Sequence, residues 1–255
     1  MTMISPMLFI LVVAIAILGF VVYNFGFLRY RIFPARNPVT GAKHISLKGP
    51  SLFISDLHLR ADRSFPYSQS LAYVMKSRHV ANLIVVGDLF DSAADARRIL
   101  ARDSLPITGV LGVDELPVKM FFVYGSPPHD PPQDEKALFD LTHMTLLGNC
   151  AILDFGNVRV IAYHGHDMSW EGWVGHAWDR FVSKLSLERT WKRWVGVAPS
   201  DWVIFGHTHI PGIDAEHRVA NCGGWQCKGF LVRPACTGIF LSPEKGSLEI
   251  VHFAK

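Results

Sequence analysis

Five times between residues 50 and 210, a short apolar, β-branched or aromatic run ends at once in Asp, Gly or His. Leu52-Phe53-Ile54-Ser55 leads into Asp56-Leu57-His58, and Leu83–Val86 into Gly87-Asp88. Met120–Tyr124 leads into Gly125-Ser126, Val158–Tyr163 into His164-Gly165-His166-Asp167, and Trp202–Phe205 into Gly206-His207-Thr208-His209. Runs of this length and content read as buried strands. Helix-like stretches at 67–80 and 92–102 separate the first three, so the order is βαβαβ and the class α/β. After residue 209 the pattern changes to short strands near 217–221, 238–242 and 247–252. In open α/β sheets ligands gather beyond the carboxyl ends of the strands, which is where these polar residues fall.

Taken alone, each has an ordinary reading: a lone histidine is usually a surface or satisfied core residue, and Gly-Asp is a common turn. The set is what points to chemistry. Carboxylate with imidazole, and no thiolate, suits Mn, Fe or Zn rather than a structural zinc site. A carboxylate with two free oxygens can bridge two ions about 3.5–4 Å apart. Such a pair activates water and neutralises phosphoryl charge, which is the chemistry of phosphate-ester hydrolysis.

The motifs Asp56-x-His58, Gly87-Asp88, His164-Gly165 and Gly206-His-Thr-His209, in this order, resemble those of the calcineurin-like metallophosphoesterase superfamily across residues 51 to about 252. SDLHL, GDLFD and GHTHIPG are similar to the branch that includes UDP-2,3-diacylglucosamine hydrolase. The resemblance implies a four-layer αββα sandwich of two mixed sheets over residues 50–255. It implies two divalent ions, Mn first with Fe or Zn compatible. One ion would be held by Asp56, His58, Asp88 and His209. The other would be held by Asp88, His164, His207 and a residue of the third motif, with Asp88 as the bridge. Asp91 would orient a ligand by hydrogen bond, or merely sit as a carboxylate at a helix N-terminus. The third motif departs from the family: Gly125-Ser126-Pro127-Pro128-His129-Asp130 carries Ser126 where relatives carry Asn. A hydroxyl is a weaker ligand than an amide carbonyl. His129 is the candidate catalytic histidine, polarising the phosphoryl oxygen or protonating the leaving group.

Composition matters at the N-terminus. The chain is 49% apolar and 18% charged, and residues 7–28 carry much of the excess. They could be a signal peptide, a core helix or a transmembrane anchor, and their length and the absence of a basic start favour the anchor. Arg29, Arg31 and Arg36 follow, so the charge rule puts the N-terminus outside and the rest in the cytoplasm, as a single-pass cell-membrane protein. Residues 29–49, with Pro34, Pro38 and Gly41, read as a tether. A net charge of +3 gives no reason to expect nucleic acid as a partner. Cys150, Cys222, Cys227 and Cys236 match no zinc spacing and read as free thiols.

Residues 170–195 form an insert rich in tryptophan. Trp173, Val174, Ala177, Trp178, Phe181, Val182 and Leu185 fall at helical spacing, with Arg180, Lys184, Arg189, Lys192 and Arg193 opposite. In relatives a helical cap stands here, and Trp173, Trp178 and Arg180 are the substrate-contact candidates. The stripe either packs on the core beneath a solvated basic face, or meets lipid. The resulting expectation is a membrane-anchored phosphohydrolase that cleaves a phosphoester or pyrophosphate by attack of a metal-bridging hydroxide. Its substrate would be a phosphorylated small molecule or an anionic or nucleotide-linked lipid. The alternatives are a non-catalytic interaction platform of the same fold, and a nuclease or cyclic-nucleotide phosphodiesterase.

Overall fold

The computed structural model describes residues 6–24, 37–101, 106–131, 144–168, 172–226 and 234–254. Strands β1 (Lys43–Ser46), β2 (Ser51–Ile54), β3 (Asn82–Val86), β4 (Lys119–Val123), β5 (Met144–Leu146) and β6 (Cys150–Asp154) come first. They are followed by β7 (Arg159–Tyr163), β8 (Trp202–Phe205), β9 (Gly212–Asp214), β10 (Val219–Asn221), β11 (Thr237–Ser242) and β12 (Ser247–His252). The helices are α1 (Pro6–Asn24), α2 (Ser68–Ser77), α3 (Ala93–Leu100), α4 (Ile107–Leu111), α5 (Gly172–Phe181) and α6 (Ser186–Val195).

Two six-stranded mixed sheets result, in the orders β12-β11-β2-β3-β4-β5 and β1-β6-β7-β8-β10-β9. The period-2 alternation of each strand explains how they stack. Phe53, Ile84, Val86, Phe121 and Val123 face Ala151, Leu153, Val160, Ala162, Trp202 and Ile204 in one core between the sheets. Their neighbours Leu52, Ile54, Leu83, Val85 and Phe122 face outward onto α2, α3 and α4. On the other side, Ile152, Ile161, Tyr163, Val203 and Phe205 face outward onto Leu187, Trp191 and Val195 of α6. Both faces of each central strand are buried, so the runs are continuously apolar rather than alternating. Strands β2, β3 and β4 run parallel, as do β7 and β8, so each sheet gathers its carboxyl ends at one edge.

The N-terminus corrects the sequence-based expectation. Helix α1 covers 19 described residues, Pro6–Asn24. No helix among the described residues is long and apolar enough to cross a membrane, so the transmembrane element is removed from the fold class. Residues 25–36, which include the start of the expected tether, lie outside the described residues. Farther along that stretch, β1 pairs in parallel with β6, and Asn37 Nδ2 donates to the Val195 carbonyl at 2.9 Å.

The insert is two helices, broken where Leu185 takes φ +59°. The break resets the helical phase. Leu185, Leu187, Trp191 and Val195 pack on the sheet, whereas Trp178, Phe181 and Val182 are exposed. The basic face is not uniformly solvated: Lys192 is buried and donates to the carbonyls of Asp201 (2.6 Å) and His217 (2.8 Å).

Candidate metal centre

The strand-end residues converge. Asp56, His58 and His209 form one group in which a ligand atom of each lies within 4.8 Å of the others. Asp88, His164 and His207 form a second, and His58, Asp88 and His129 a third. The ends of three parallel strands of one sheet (β2, β3, β4) and two of the other (β7, β8) supply the residues. The chain turns abruptly at each: Asp56, His58, Asp88, His207 and His209 all have φ between +49° and +66°. Asp and His enter this left-handed region more readily than most residues, and the turn directs each side chain into the gap between the sheet edges.

Hydrogen bonds fix the positions. The Asp56 amide donates to the Gly87 carbonyl and the His58 amide to the Asp88 carbonyl, both at 3.1 Å. Asp56 Oδ2 accepts from Ser55 Oγ (2.6 Å) and the His207 amide (3.0 Å). His164 Nδ1 is 2.8 Å from the Val86 carbonyl. That carbonyl can only accept, so Nδ1 carries a proton and Nε2 is the nitrogen facing Asp88 Oδ1, 3.3 Å away. Two glycines are required by space. A Cβ on Gly87 would meet the His164 ring at 2.5 Å, and one on Gly125 would meet Asp88 Oδ1 and the Asp88 amide at 2.3 Å.

Charges are arranged to keep the carboxylates ionised. Burial alone would raise Asp88, but the surrounding histidines, His164 first, hold it well below the usual carboxylate range. Asp56 is lowered in the same contest, chiefly by His209 and then His164. Burial would lower the His164 imidazole, but Asp88 and then Asp56 push it up to about 10. Asp56 Oδ1 and His164 Nε2 are buried without an aligned hydrogen bond, facing His209 Nε2 at 3.1 Å and Asp88 Oδ1 at 3.3 Å respectively. Buried polar atoms without partners are uncommon. Carboxylate and imidazole lone pairs converging within one gap fit a divalent cation.

The remaining sequence candidates take distinct places. Ser126 adjoins Asp88, its amide donating to Oδ1 at 2.6 Å and its hydroxyl to Oδ2 at 3.2 Å. His129 Nδ1 lies 2.7 Å from the Asp91 carbonyl, leaving Nε2 3.9 Å from Asp88 Oδ2. The Asp91 carboxylate stands 3.9 Å from His58 Nδ1 and 3.7 Å from Arg60. Trp178 and Arg180 are on exposed positions of α5, and the Trp173 side chain lies outside the described residues, as does Cys227. Cys150, Cys222 and Cys236 are buried free thiols.

Sequence reasoning missed two supports. Asp130 is buried and accepts the amides of Asp88 (2.9 Å), Leu89 (3.0 Å) and Gly125 (2.7 Å). Burial, and then the Asp88 charge, push its carboxyl up to about 7. Its position directly after His129 was the available signal. Glu188 is also fully buried, and it touches the Gly-His-Thr-His turn although it falls among the charged residues of the insert.

Comparison with known proteins bears on this geometry. A model of the calcineurin-like phosphoesterase superfamily domain matches residues 51–238. No curated protein matches the chain significantly. Among solved structures, an archaeal phosphodiesterase is 18% identical over 80% of this chain and 99% of its own, with a TM-score of 0.46. A Vps29 mutant from Entamoeba histolytica is 16% identical over 81% and 99%, at 0.47. Yfce, a phosphoesterase from E. coli, is 18% identical over 80% and 100%, at 0.43. The family match spans nearly the whole run of strands that carries the converging side chains, and the chain belongs to the calcineurin-like phosphoesterase superfamily.

Proposed function

We propose that the protein is a hydrolase of phosphate esters or phosphoanhydrides that works with two divalent metal ions. One observation carries the dinuclear reading: Asp88 is shared by two ligand groups, one with His164 and His207 and one with His58 and His129. Asp56, His58, Asp88 and His209 would hold one ion, and Asp88, His164 and His207 the other, beside Ser126. Bound divalent ions supply Lewis acidity, lowering the pKa of water and neutralising charge on the phosphoryl group.

The chain's own residues do the positioning. Ser126, donating to both Asp88 oxygens, fixes the plane of the shared carboxylate. The Asp91 carbonyl takes the His129 Nδ1 proton in its hydrogen bond and so sets Nε2 facing the centre. His129 is about a quarter exposed, open enough to meet a phosphoryl oxygen or a leaving group. In its protonated form it would stabilise developing negative charge or release a proton to the departing alkoxide.

The test uses the full chain, stripped of metal and reconstituted with Mn²⁺. Hydrolysis of a chromogenic phosphodiester and of the matching monoester is followed side by side. Metal-dependent turnover is expected, reduced at least 100-fold by Asp88→Asn. Absence of both turnover and Mn²⁺ binding would overturn the reading in favour of a non-catalytic member of the fold.

A further inference from the structure

Thr208 sits between His207 and His209, so whatever fixes it fixes both histidines. Its amide donates to the Gly206 carbonyl at 2.8 Å, and three further contacts come from outside the turn. The Thr208 hydroxyl donates to Glu188 Oε1 at 3.0 Å. The Thr208 carbonyl is 3.0 Å from His176 Nδ1. Asn221 Nδ2 lies 3.0 Å from Thr208 Oγ1, 2.8 Å from Glu188 Oε1 and 2.6 Å from the Gly206 carbonyl. Glu188, Thr208 and Asn221 are completely buried.

Glu188 and His176 belong to α6 and α5 of the insert, and these helices are themselves joined. Asp179 Oδ1, at the end of α5, accepts from Ser186 Oγ (3.1 Å) and the Leu187 amide (3.2 Å) at the start of α6. The insert is thus connected through side chains to the turn that carries two candidate ligands. Both ligands lie in the left-handed backbone region, at φ +66° and +60°, where a residue stays only if its surroundings over-determine it.

We infer that Glu188 and Asn221 are positioning residues for His207 and His209, acting through Thr208. The inference rests on the metal-centre reading above and deepens it: the insert sets the geometry of the ligands as well as covering a sheet. Burial, and then the neighbouring Asp179 carboxylate, raise the Glu188 carboxyl well above its ordinary value. Its Oε1 accepts from both the Thr208 hydroxyl and Asn221 Nδ2, and a glutamine amide oxygen in the same place can accept both bonds.

That equivalence supplies the test. In the full chain, Mn²⁺ binding is measured by calorimetric titration, and folding by urea denaturation in chelator, for wild type, Thr208→Val, Glu188→Leu and Glu188→Gln. Thr208→Val removes one hydroxyl and leaves Glu188 Oε1 bonded to Asn221, so the fold should persist. Loss of a group that orients a metal ligand typically costs about 10–100-fold in affinity. Thr208→Val and Glu188→Leu should weaken Mn²⁺ binding by about tenfold or more, with Glu188→Gln within about twofold of wild type. Should Glu188→Leu fail to fold, Thr208→Val and Glu188→Gln decide the matter. Wild-type affinity in a folded Thr208→Val, or a Glu188→Gln as weak as the leucine variant, overturns the inference while leaving the metal centre intact. A wild-type chain that binds no Mn²⁺ removes the metal-centre reading and the inference with it.

Discussion

Asp130 allows a prediction to be worked through from distances. Its Oδ2 accepts two amides, from Asp88 and Gly125, and its Oδ1 accepts a third, from Leu89. Asparagine at this position has one oxygen and one NH₂. With the oxygen in the Oδ2 place, the NH₂ opposes the Leu89 amide and strands one buried donor, at a cost of ~1–3 kcal/mol. Alanine strands three, on the order of 3–9 kcal/mol, comparable with the whole stability of a typical domain. A pH dependence distinguishes this account from simple loss of packing. The folded value of about 7 lies above the ordinary 3.8, so between them the folded protein holds a proton that the unfolded chain has released. Stability from this group is therefore complete below about pH 4 and declines as pH rises towards 7. Urea unfolding in chelator, from pH 5 to 8, should show a wild-type decline that Asp130→Asn reduces. Asp130→Ala should be largely unfolded at 25 °C. An alanine variant within about 1 kcal/mol of wild type, or an asparagine variant with an unchanged pH slope, would refute the reasoning.

Two other perturbations follow from packing. Gly125→Ala places a methyl group 2.3 Å from the Asp88 amide and Oδ1; it should cost ~1–3 kcal/mol by overpacking and reduce phosphodiester turnover about 100-fold by displacing the shared carboxylate, as read by kcat and urea midpoint together. Trp191 is fully buried, stacked on Tyr163 at 4.6 Å and edge-on to Phe205 at 5.3 Å, so Trp191→Ala should lose ~3–5 kcal/mol in the same denaturation assay.

The strands and the strand-end cluster were legible because both depend on local order: an apolar run, then a polar residue that the next turn must expose to the site. Residues Leu52, Leu83, Met120, Ile161 and Val203 announce buried strands whatever their partners. Asp130 was less visible because it binds backbone amides and resembles any acidic turn residue. Lys192 was misread and Glu188 was not singled out, both for one physical reason. One continuous helix over the insert would have placed both on a charged outer face, but the left-handed Leu185 restarts the phase and turns them inward with Leu187, Trp191 and Val195. Helix α1 was legible as an apolar stretch in the sequence.

The left-handed backbone at Asp56, His58, Asp88, His207 and His209 has an evolutionary consequence. Each non-glycine residue held there costs up to ~1–2 kcal/mol, a cost that glycine largely avoids. A lineage released from selection for hydrolysis could therefore replace a histidine ligand such as His209 with glycine and become harder to unfold as it became inert, whereas glycine at Asp56 or Asp88 would strand the His207 or Ser126 amide. Loss of activity in a chain of this design would leave little trace in expression or solubility, and the positions most informative about lost chemistry would be those where an unexpected glycine ends a strand.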